Sequence, residues 1–415
     1  MDVRTRRWAI PLLAAALTVL AIYAMAWVST PTAQTLRADF VNAYMGAQLL
    51  RSGHGAQLYD LSVQAPLYAA LTSPYRYPLL AFYDTPSAAA LAAPFTLVGV
   101  ATAWRIFSLV QLACLVTAAV IAARSAPWPA RTSPVVRGTI VAVALAGFST
   151  NVLFLQGQWS GLFALGVALG YRQLRRGHTV SAAVCLLAPV FAVKPNLGLA
   201  LTVFVIAWGG RRAALGAAAA GAAVLLVSVA VGGPSVVGAF LHAAIGSRSF
   251  WPLVTMDGIT GITGSLLGSG GTADMIGFAA CALAAAAALP LGRLARTPGN
   301  LEPALAAAVA LTLLASPHLY PHDLAMLTPA AVWVMAWAHQ RDHEASATTV
   351  RLALAMALLA WFVFNVLSGI DERAASAKLV PWCLLAGSVA LTAAAGAFGR
   401  RRLGTLSGVV TIRAG

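Results

Sequence analysis

Long apolar segments separated by short polar turns recur along the whole chain. We identify them at 9–28, 101–123, 138–155, 160–172, 179–193, 196–209, 213–232, 272–291, 302–316, 324–338, 350–368 and 379–398. A helix needs roughly 20 apolar residues to cross a bilayer, and several of these segments are shorter. The pattern predicts an all-α polytopic membrane protein with about twelve transmembrane helices.

Residues 81–100 form a further apolar segment, but Asp84, Pro86 and Pro94 interrupt it. If this segment crossed the membrane, every later arginine cluster would change sides, against the positive-inside rule. We therefore expect a re-entrant or interfacial segment, or a lead-in to the helix that begins near residue 101.

The composition excludes most other classes of protein. Hydrophobic residues make up 60% of the chain and charged residues 9%, with a mean hydropathy of +0.81, whereas soluble domains carry about 25% charged residues. Soluble enzymes, secreted disulfide scaffolds and disordered chains are excluded. The four cysteines lie in apolar segments without CxxC spacing, which predicts neither a disulfide nor a metal site. We treat residues 1–415 as a single integral membrane domain.

The net charge of +15 indicates membrane topology here, because the basic residues lie between apolar segments. If both termini lie inside, all arginine clusters fall on the inner side. We therefore predict contact with anionic lipid headgroups and no nucleic-acid partner.

The two longest predicted outer loops span residues 29–80 and 233–271. The second is rich in glycine and serine and is typical of a flexible lid or loop. In the first, apolar residues recur at helical spacing until Gly53, which predicts an amphipathic helix on the outer membrane surface. These residues are Phe40, Tyr44, Ala47 and Leu50.

Two aspartates precede helical segments in the first loop. Asp39 could cap the helix that begins at residue 40 or could carry chemistry, and its position alone favours neither. For Asp60, which opens a similar stretch, the capping interpretation is the favoured one.

Polar residues also occur at the predicted outer turns between spans. Asn151 and Gln158 could bind sugar hydroxyls or could only satisfy the backbone of a tight turn. Lys194 is a functional candidate because an ammonium at membrane depth is costly, and its alternative is snorkelling to the interface. A phosphate is its natural counter-ion.

The sequence SPHLYPHDL places two histidines at another outer turn. Pro321 disrupts the helical spacing between His318 and His322, which argues against a zinc site. Proton transfer or phosphate binding by His322 is more plausible.

Tyr75, Arg76, Tyr77 and Pro78 close the first outer loop. They could form an interfacial belt, or could stack on a sugar and bind a phosphate. All of these polar groups fall on one side of the predicted membrane.

The ordered set of motifs resembles glycosyltransferase family 87 of the GT-C superfamily, over about residues 9–340. The family includes α-mannosyltransferases that depend on polyprenol-phosphate-mannose. The motifs are Asp39-Phe40, Tyr44, Leu58-Tyr59-Asp60, Tyr77-Pro78, Asn151, Gly157-Gln158, Arg175-Arg176-Gly177, Lys194-Pro195, Ser316-Pro317 and His322. Leu79, Asp84 and Trp159 depart from the family's pattern.

The resemblance implies a GT-C fold with an extracytoplasmic active site. It implies Asp39 as the catalytic base, and Lys194, Arg76 and His322 as groups that neutralise the donor phosphate. His322 is also a candidate catalytic residue, and neither a metal nor another cofactor is implied. The remaining candidates, for substrate binding, are Tyr44, Tyr77, Asn151, Gln158 and His318.

The function implied is inverting transfer of a sugar, with mannose expected, from a polyprenyl-phosphate donor to a lipid or glycolipid acceptor. The enzyme would lie in a bacterial inner membrane with its active site on the outer face. The alternative is a transporter or lipid flippase. A transporter would place charges in the middle of several spans and show related halves, and neither feature is visible.

Overall fold

The computed structural model describes residues 3–246, 256–268, 270–340, 380–393 and 396, with side chains from residue 9 onward. These residues fold into helices, and no strand occurs among them. The α-helices of the first half are α1 (Val3–Val28), α2 (Thr32–Thr35), α3 (Phe40–Arg51), α4 (Leu61–Thr72), α5 (Pro86–Ala92), α6 (Val100–Ser125), α7 (Pro134–Leu145), α8 (Phe148–Gln156), α9 (Ser160–Arg175) and α10 (Thr179–Phe191). The later ones are α11 (Leu199–Gly232), α12 (Val236–Gly246), α13 (Ile259–Leu267), α14 (Gly271–Ala286), α15 (Ala288–Leu294), α16 (Leu301–Leu314), α17 (Leu327–Gln340) and α18 (Val380–Ala393).

Four helical stretches are long and apolar enough to span a membrane. They are Ala9–Val28, Val100–Ser125, Pro195–Gly232 and Gly271–Leu294, and a fifth arises if the bent pair α7 and α8 is one span. The segments predicted at 160–172, 179–193, 302–316 and 324–338 form helices of 13 to 16 residues. Such helices are about 20–24 Å long against a hydrocarbon core of about 30 Å. Twelve crossings therefore remain a prediction, and the segment at 350–368 lies outside the described residues.

Two apolar segments contain breaks. The predicted span 138–155 divides into α7 and α8, which meet at 54°. Within α11, Gly210 has φ 58° and ψ −140°, so this helix is kinked where the sequence pattern separates 196–209 from 213–232.

Residues 81–100 contain no long helix. They form α5 and a short 3-10 helix, Ala93–Leu97. Pro86 begins α5 at a position where proline lacks only an N–H that would be unpaired anyway. The expected lead-in to the helix at residue 101 is therefore built from short helices.

The core lies among α6, α9, α10, α11 and α16, which pack on one another in pairs. Small residues allow the close contacts: a Cβ on Gly161 of α9 would lie 2.1 Å from the carbonyl oxygen of Gln111 in α6. Glu302, at the start of α16, accepts hydrogen bonds from Tyr171 at 2.9 Å and Arg175 at 2.8 Å. This buried carboxylate ties α16 to α9.

The helix predicted from residue 40 is present as α3, but it does not lie on a surface. Eight of its 12 residues are buried, because it packs against α4, α5 and α6. The capping interpretation of Asp60 is confirmed, since its side chain accepts from the backbone N–H of Ser62 at 2.8 Å.

The predicted second loop, 233–271, contains helices in its described parts. α12 begins at Val236, three residues after Gly233, and α13 spans Ile259–Leu267. Residues 247–255 and 269 lie outside the described residues. Glycine and serine content therefore predicted less helix than the structure contains.

Arg105 of α6 holds the end of α1. Its guanidinium lies over the rings of Trp27 and Trp104, 4.6 and 4.7 Å from their centroids. It also donates to the carbonyl oxygens of Trp27 and Thr30. This contact fixes the point from which the chain continues toward Asp39.

Candidate active site

A cavity of about 430 Å³ collects most of the polar residues singled out in the sequence. Five segments line its polar part: the start of α3, residues 80–84, the turn 157–159 between α8 and α9, the turn 193–196 after α10, and residues 317–322. The other wall is apolar and consists mainly of Phe240, Ile245 and Phe278 from α12 and α14.

Asp39 lies at the start of α3, but its side chain makes no capping hydrogen bond. Instead, Nε2 of Gln158 donates to its Oδ2 at 2.6 Å. The backbone N–H of Asp39 donates to Oε1 of Gln156 at 3.3 Å. The two glutamines, one at the end of α8 and one in the turn after it, thus orient the residue, which decides against the capping interpretation.

Gly157 makes this arrangement possible. It ends α8 in the left-handed conformation, with φ 63° and ψ 61°, which glycine adopts without a steric penalty. The reversal places Gln158 on the cavity wall, while Phe40 and Trp104 pack against Gly157.

A second cluster surrounds Lys194. Its Nζ lies 3.1 Å from Oδ1 of Asp323 and 3.1 Å from Nε2 of His322. His322 and Asp323 belong to a 3-10 helix, Pro321–Met326, that leads into α17. Lys194, in the turn after α10, and Asp323, before α17, therefore form an ion pair in which the aspartate is fully buried and the lysine is partly buried.

Of the three residues in this cluster, Lys194 is the cation at neutral pH. Burial favours the neutral amine of Lys194, but Asp323 and Asp84 outweigh it and raise its pKa. For Asp323, burial is outweighed by Lys194 and the pKa is lowered. Burial lowers the pKa of His322 to about 3, which favours the neutral ring at neutral pH, whereas the resemblance implied a cation at this position. As a neutral ring it can accept a hydrogen bond from Lys194.

Asp84 also lines the cavity. Its segment is held to the turn before Lys194, because the backbone N–H of Thr85 donates to Val193 at 3.3 Å and the hydroxyl of Ser87 donates to Ala192 at 2.7 Å. Burial raises the pKa of Asp84 to about 6, with Asp323 and Asp39 adding to the rise and Lys194 opposing it.

The predicted site residues divide into two groups. The cavity brings together Asp39, Gln158, Lys194, His318 and His322. Tyr44, Arg76, Tyr77 and Asn151 are not among the residues that line it.

The four residues outside the cavity have other surroundings. Tyr44 is buried in α3, and its hydroxyl donates to Val98 at 2.8 Å. Tyr77 donates to the carbonyl oxygen of Ala33 at 2.9 Å and lines a separate cleft. Arg76 is exposed beside it, and Oδ1 of Asn151 is buried away from the cavity without a hydrogen-bond partner among the described residues.

Asp84 lines the cavity but was not among the predicted site residues; the sequence showed it only as an interruption of an apolar segment and a departure from the family's pattern. Asp323 and Asn196 were not among them either: Asp323 directly follows His322, and Asn196 directly follows Lys194-Pro195. Asn196 lines the cavity and donates to Oγ of Ser316 at 2.7 Å. The proximity of Asp323 and Asn196 to His322 and Lys194 in the sequence was the available signal.

The arrangement can accept a proton at Asp39 and hold an anion at Lys194 within one cavity. Among the described residues, no group of three or more histidine, cysteine or acidic side chains could hold a metal ion. The polar groups that line the cavity include the carboxylates of Asp39 and Asp84, the ammonium of Lys194 and the amides of Gln158 and Asn196.

Comparison with known proteins identifies one family. The sequence model of glycosyltransferase family 87 matches residues 82–317, a range that contains Asp84, Gln158 and Lys194. No curated protein and no solved structure matches the chain.

Proposed function

The chain belongs to glycosyltransferase family 87, and from this premise we propose that it is an inverting enzyme that uses a polyprenyl-phosphate sugar. The sugar, mannose in the first instance, passes to the hydroxyl of a lipid or glycolipid acceptor. The observation that carries the proposal is that Asp39 and Lys194 line one cavity. Groups that serve one transferred sugar must converge in this way.

Asp39 is the proposed general base. It takes the proton of the acceptor hydroxyl, whose oxygen attacks the anomeric carbon as the bond from that carbon to the phosphate oxygen breaks. The polyprenyl phosphate leaves with the bonding electrons, and the configuration inverts. The hydrogen bond from Gln158 at 2.6 Å orients the carboxylate for this step.

Lys194 is the proposed partner of the donor phosphate. Charge grows on the phosphate as its bond to the sugar breaks, and a fixed ammonium in a partly buried site stabilises that charge strongly. Asp323 and His322 hold the ammonium in place through their contacts at 3.1 Å. We assign them as positioning residues for Lys194.

The apolar wall supports a lipid-linked donor. Phe240, Ile245 and Phe278 face the polar segments across the cavity, as a prenyl chain attached to a bound phosphate requires. The distribution of arginines favours an extracytoplasmic site, in a bacterial inner membrane, since the cavity is built from turns opposite the arginine clusters.

The decisive experiment is sugar transfer by the purified protein in lipid. Radiolabelled polyprenyl-phosphate-mannose and a membrane-lipid extract are supplied to the wild type, Asp39→Asn and Asp60→Asn. Transfer should fall at least about 100-fold in Asp39→Asn, the usual range for loss of a general base. Asp60→Asn should retain transfer, because Asp60 caps α4 outside the cavity.

An inactive wild type would first be tested with polyprenyl-phosphate-arabinose. Inactivity with both donors would contradict the donor class, whereas full activity of a folded Asp39→Asn variant would contradict the assigned base. Movement of a lipid across the membrane without transfer would support the flippase alternative.

A further inference from the structure

The cavity holds more negative than positive charge. Asp39, Asp84 and Lys194 line it, and Asp323 contacts Lys194 from behind. Among the described lining residues, Lys194 is the one lysine or arginine. With His322 neutral, three carboxylates face one ammonium, and a phosphodiester donor would bring a further negative charge into a site of low polarity.

Lys194 is the group for which these anions compete. An ammonium has three N–H donors, and Asp323 and His322 engage two of them. A donor phosphate takes the third. Asp84 lines the same cavity, in a segment that is hydrogen-bonded to Val193 directly before Lys194. Its charge raises the pKa of Lys194.

Asp84 is the carboxylate best placed to become protonated when the phosphate binds. Asp323 is fully buried, with its Oδ1 held by Lys194 and its Oδ2 held by the backbone N–H of Tyr320 at 3.2 Å. Asp39 is engaged by Gln158 and is needed as an ionised base. Asp84 has neither role, and the hydrogen bonds from Thr85 to Val193 and from Ser87 to Ala192 keep its segment next to the turn that carries Lys194.

We propose that the donor phosphate and a proton bind together, the phosphate to Lys194 and the proton to the carboxylate of Asp84. Asp84 is then a specificity-determining residue: while ionised it repels an anionic ligand, and once protonated it is a neutral hydrogen-bond donor. One proton comes from solvent for each donor bound. The inference rests on the proposed function only in that the ligand is a prenyl phosphodiester.

Burial, together with two facing carboxylates, explains why Asp84 is the site of protonation, while Lys194 opposes it. Asp39 faces it from the start of α3, Asp323 from the turn before α17 and Lys194 from the turn after α10. The phenol of Tyr59 donates to its backbone carbonyl at 2.7 Å. Its raised pKa, about 6, makes proton uptake accessible near neutral pH.

Binding without turnover tests the inference. Farnesyl methyl phosphate is a suitable probe because, as a phosphodiester, it keeps a single negative charge across the neutral pH range. Calorimetric titration slightly above neutral pH, in two buffers of different ionisation enthalpy, gives the number of protons taken up. We expect about one proton per ligand in the wild type and close to zero in Asp84→Asn.

The affinity for the probe should depend on pH, because ligand binding and proton uptake are coupled. In the wild type, the dissociation constant should rise about tenfold for each pH unit between roughly 6.5 and 8. In Asp84→Asn it should stay nearly constant and lie below the wild-type value at the alkaline end of this range. Asp39→Asn and His318→Gln serve as matched controls, because they change two other titratable residues of the cavity.

Three results would overturn the inference. Binding without proton uptake in the wild type overturns the inference and leaves the proposed function intact. Uptake that persists in Asp84→Asn but disappears in Asp39→Asn or His318→Gln also overturns it. If the wild type binds the phosphodiester no better than farnesyl methyl ether at any pH, the proposed donor class and this inference fall together.

Discussion

The side-chain amide of Gln158 donates a 2.6 Å hydrogen bond to Oδ2 of Asp39, across 119 positions of sequence. This bond joins the turn after α8 to the start of α3. It connects the carboxylate of the proposed base directly to the body of the helical core.

Replacing Gln158 by Leu removes the donor that orients the base. We expect kcat for transfer to fall about 10- to 100-fold with a smaller change in KM, because a misplaced catalytic group costs about that much. Steady-state transfer kinetics measure the effect. The control is Gln57→Leu, which changes the same residue type at an exposed position away from the cavity. Equal losses in both variants would contradict a specific role for Gln158.

Gly157→Ala should destabilise the protein and disturb the base. The residue has φ 63°, and an added Cβ would lie 2.8 Å from Cβ of Phe40 and 3.1 Å from Trp104. Gly53→Ala separates the two causes, since Gly53 has φ 80° but a Cβ added there would meet no atom within 4 Å. We expect a cost of about 1 kcal/mol for Gly53→Ala, from the backbone alone, and a larger one for Gly157→Ala.

Thermal unfolding in detergent measures both stabilities, and transfer assays measure activity. Gly53→Ala should keep its activity, because Gly53 lies after α3 and outside the cavity. A Gly157→Ala variant as stable and active as the Gly53→Ala variant would show that Phe40 and Trp104 move aside at no cost.

Asp323→Asn should lower stability at neutral pH, because it leaves Lys194 without its ion-pair partner. The pKa of Asp323 is lowered in the folded state, so its stabilising effect is present above its usual value of about 3.9 and is lost as the pH falls through the lower, folded-state pKa. The difference in melting temperature between the wild type and Asp323→Asn should therefore shrink below about pH 4.

The double variant Lys194→Met with Asp323→Asn tests the same pair from the other side. Removing both charges costs less than leaving one buried and unpaired, so its melting temperature should exceed that of Asp323→Asn alone. Transfer should be absent in the double variant, since it lacks Lys194, the proposed partner of the donor phosphate. A double variant less stable than either single one would contradict a dominant charge effect.

Glu302→Gln should weaken the junction of α9 and α16 without affecting the chemistry of the cavity. Glu302 is 1% exposed and accepts from both Tyr171 and Arg175. We expect a loss of about 1–3 kcal/mol, the usual cost of an unsatisfied buried partner, measured by thermal unfolding. Activity per folded molecule should stay close to that of the wild type, because Glu302 does not line the cavity.

Local signals in the sequence predicted the local features well. Asp60 before a helical stretch predicted its cap, and the apolar spacing from Phe40 predicted the start of α3. The cost of a lysine at membrane depth singled out Lys194. In each case, the physical requirement acts within a few residues of the signal.

Features that depend on distant contacts were not predictable in the same way. The spacing of Tyr44 shows that it faces the same side as Phe40, but not that its hydroxyl donates to the carbonyl oxygen of Val98. Asp84 reaches the cavity because Ser87, three residues later, bonds to Ala192, 105 positions further along the chain. No pattern near residue 84 reveals that contact.

The separation of Lys194 from its partners has a consequence for biosynthesis. His322 and Asp323 follow it by 128 and 129 residues, so a ribosome that has completed α10 and α11 has yet to make either. Until the turn before α17 has been made and has docked, Lys194 lacks the carboxylate that neutralises it in the folded protein. A chain that stops short of this turn therefore cannot complete the ion pair.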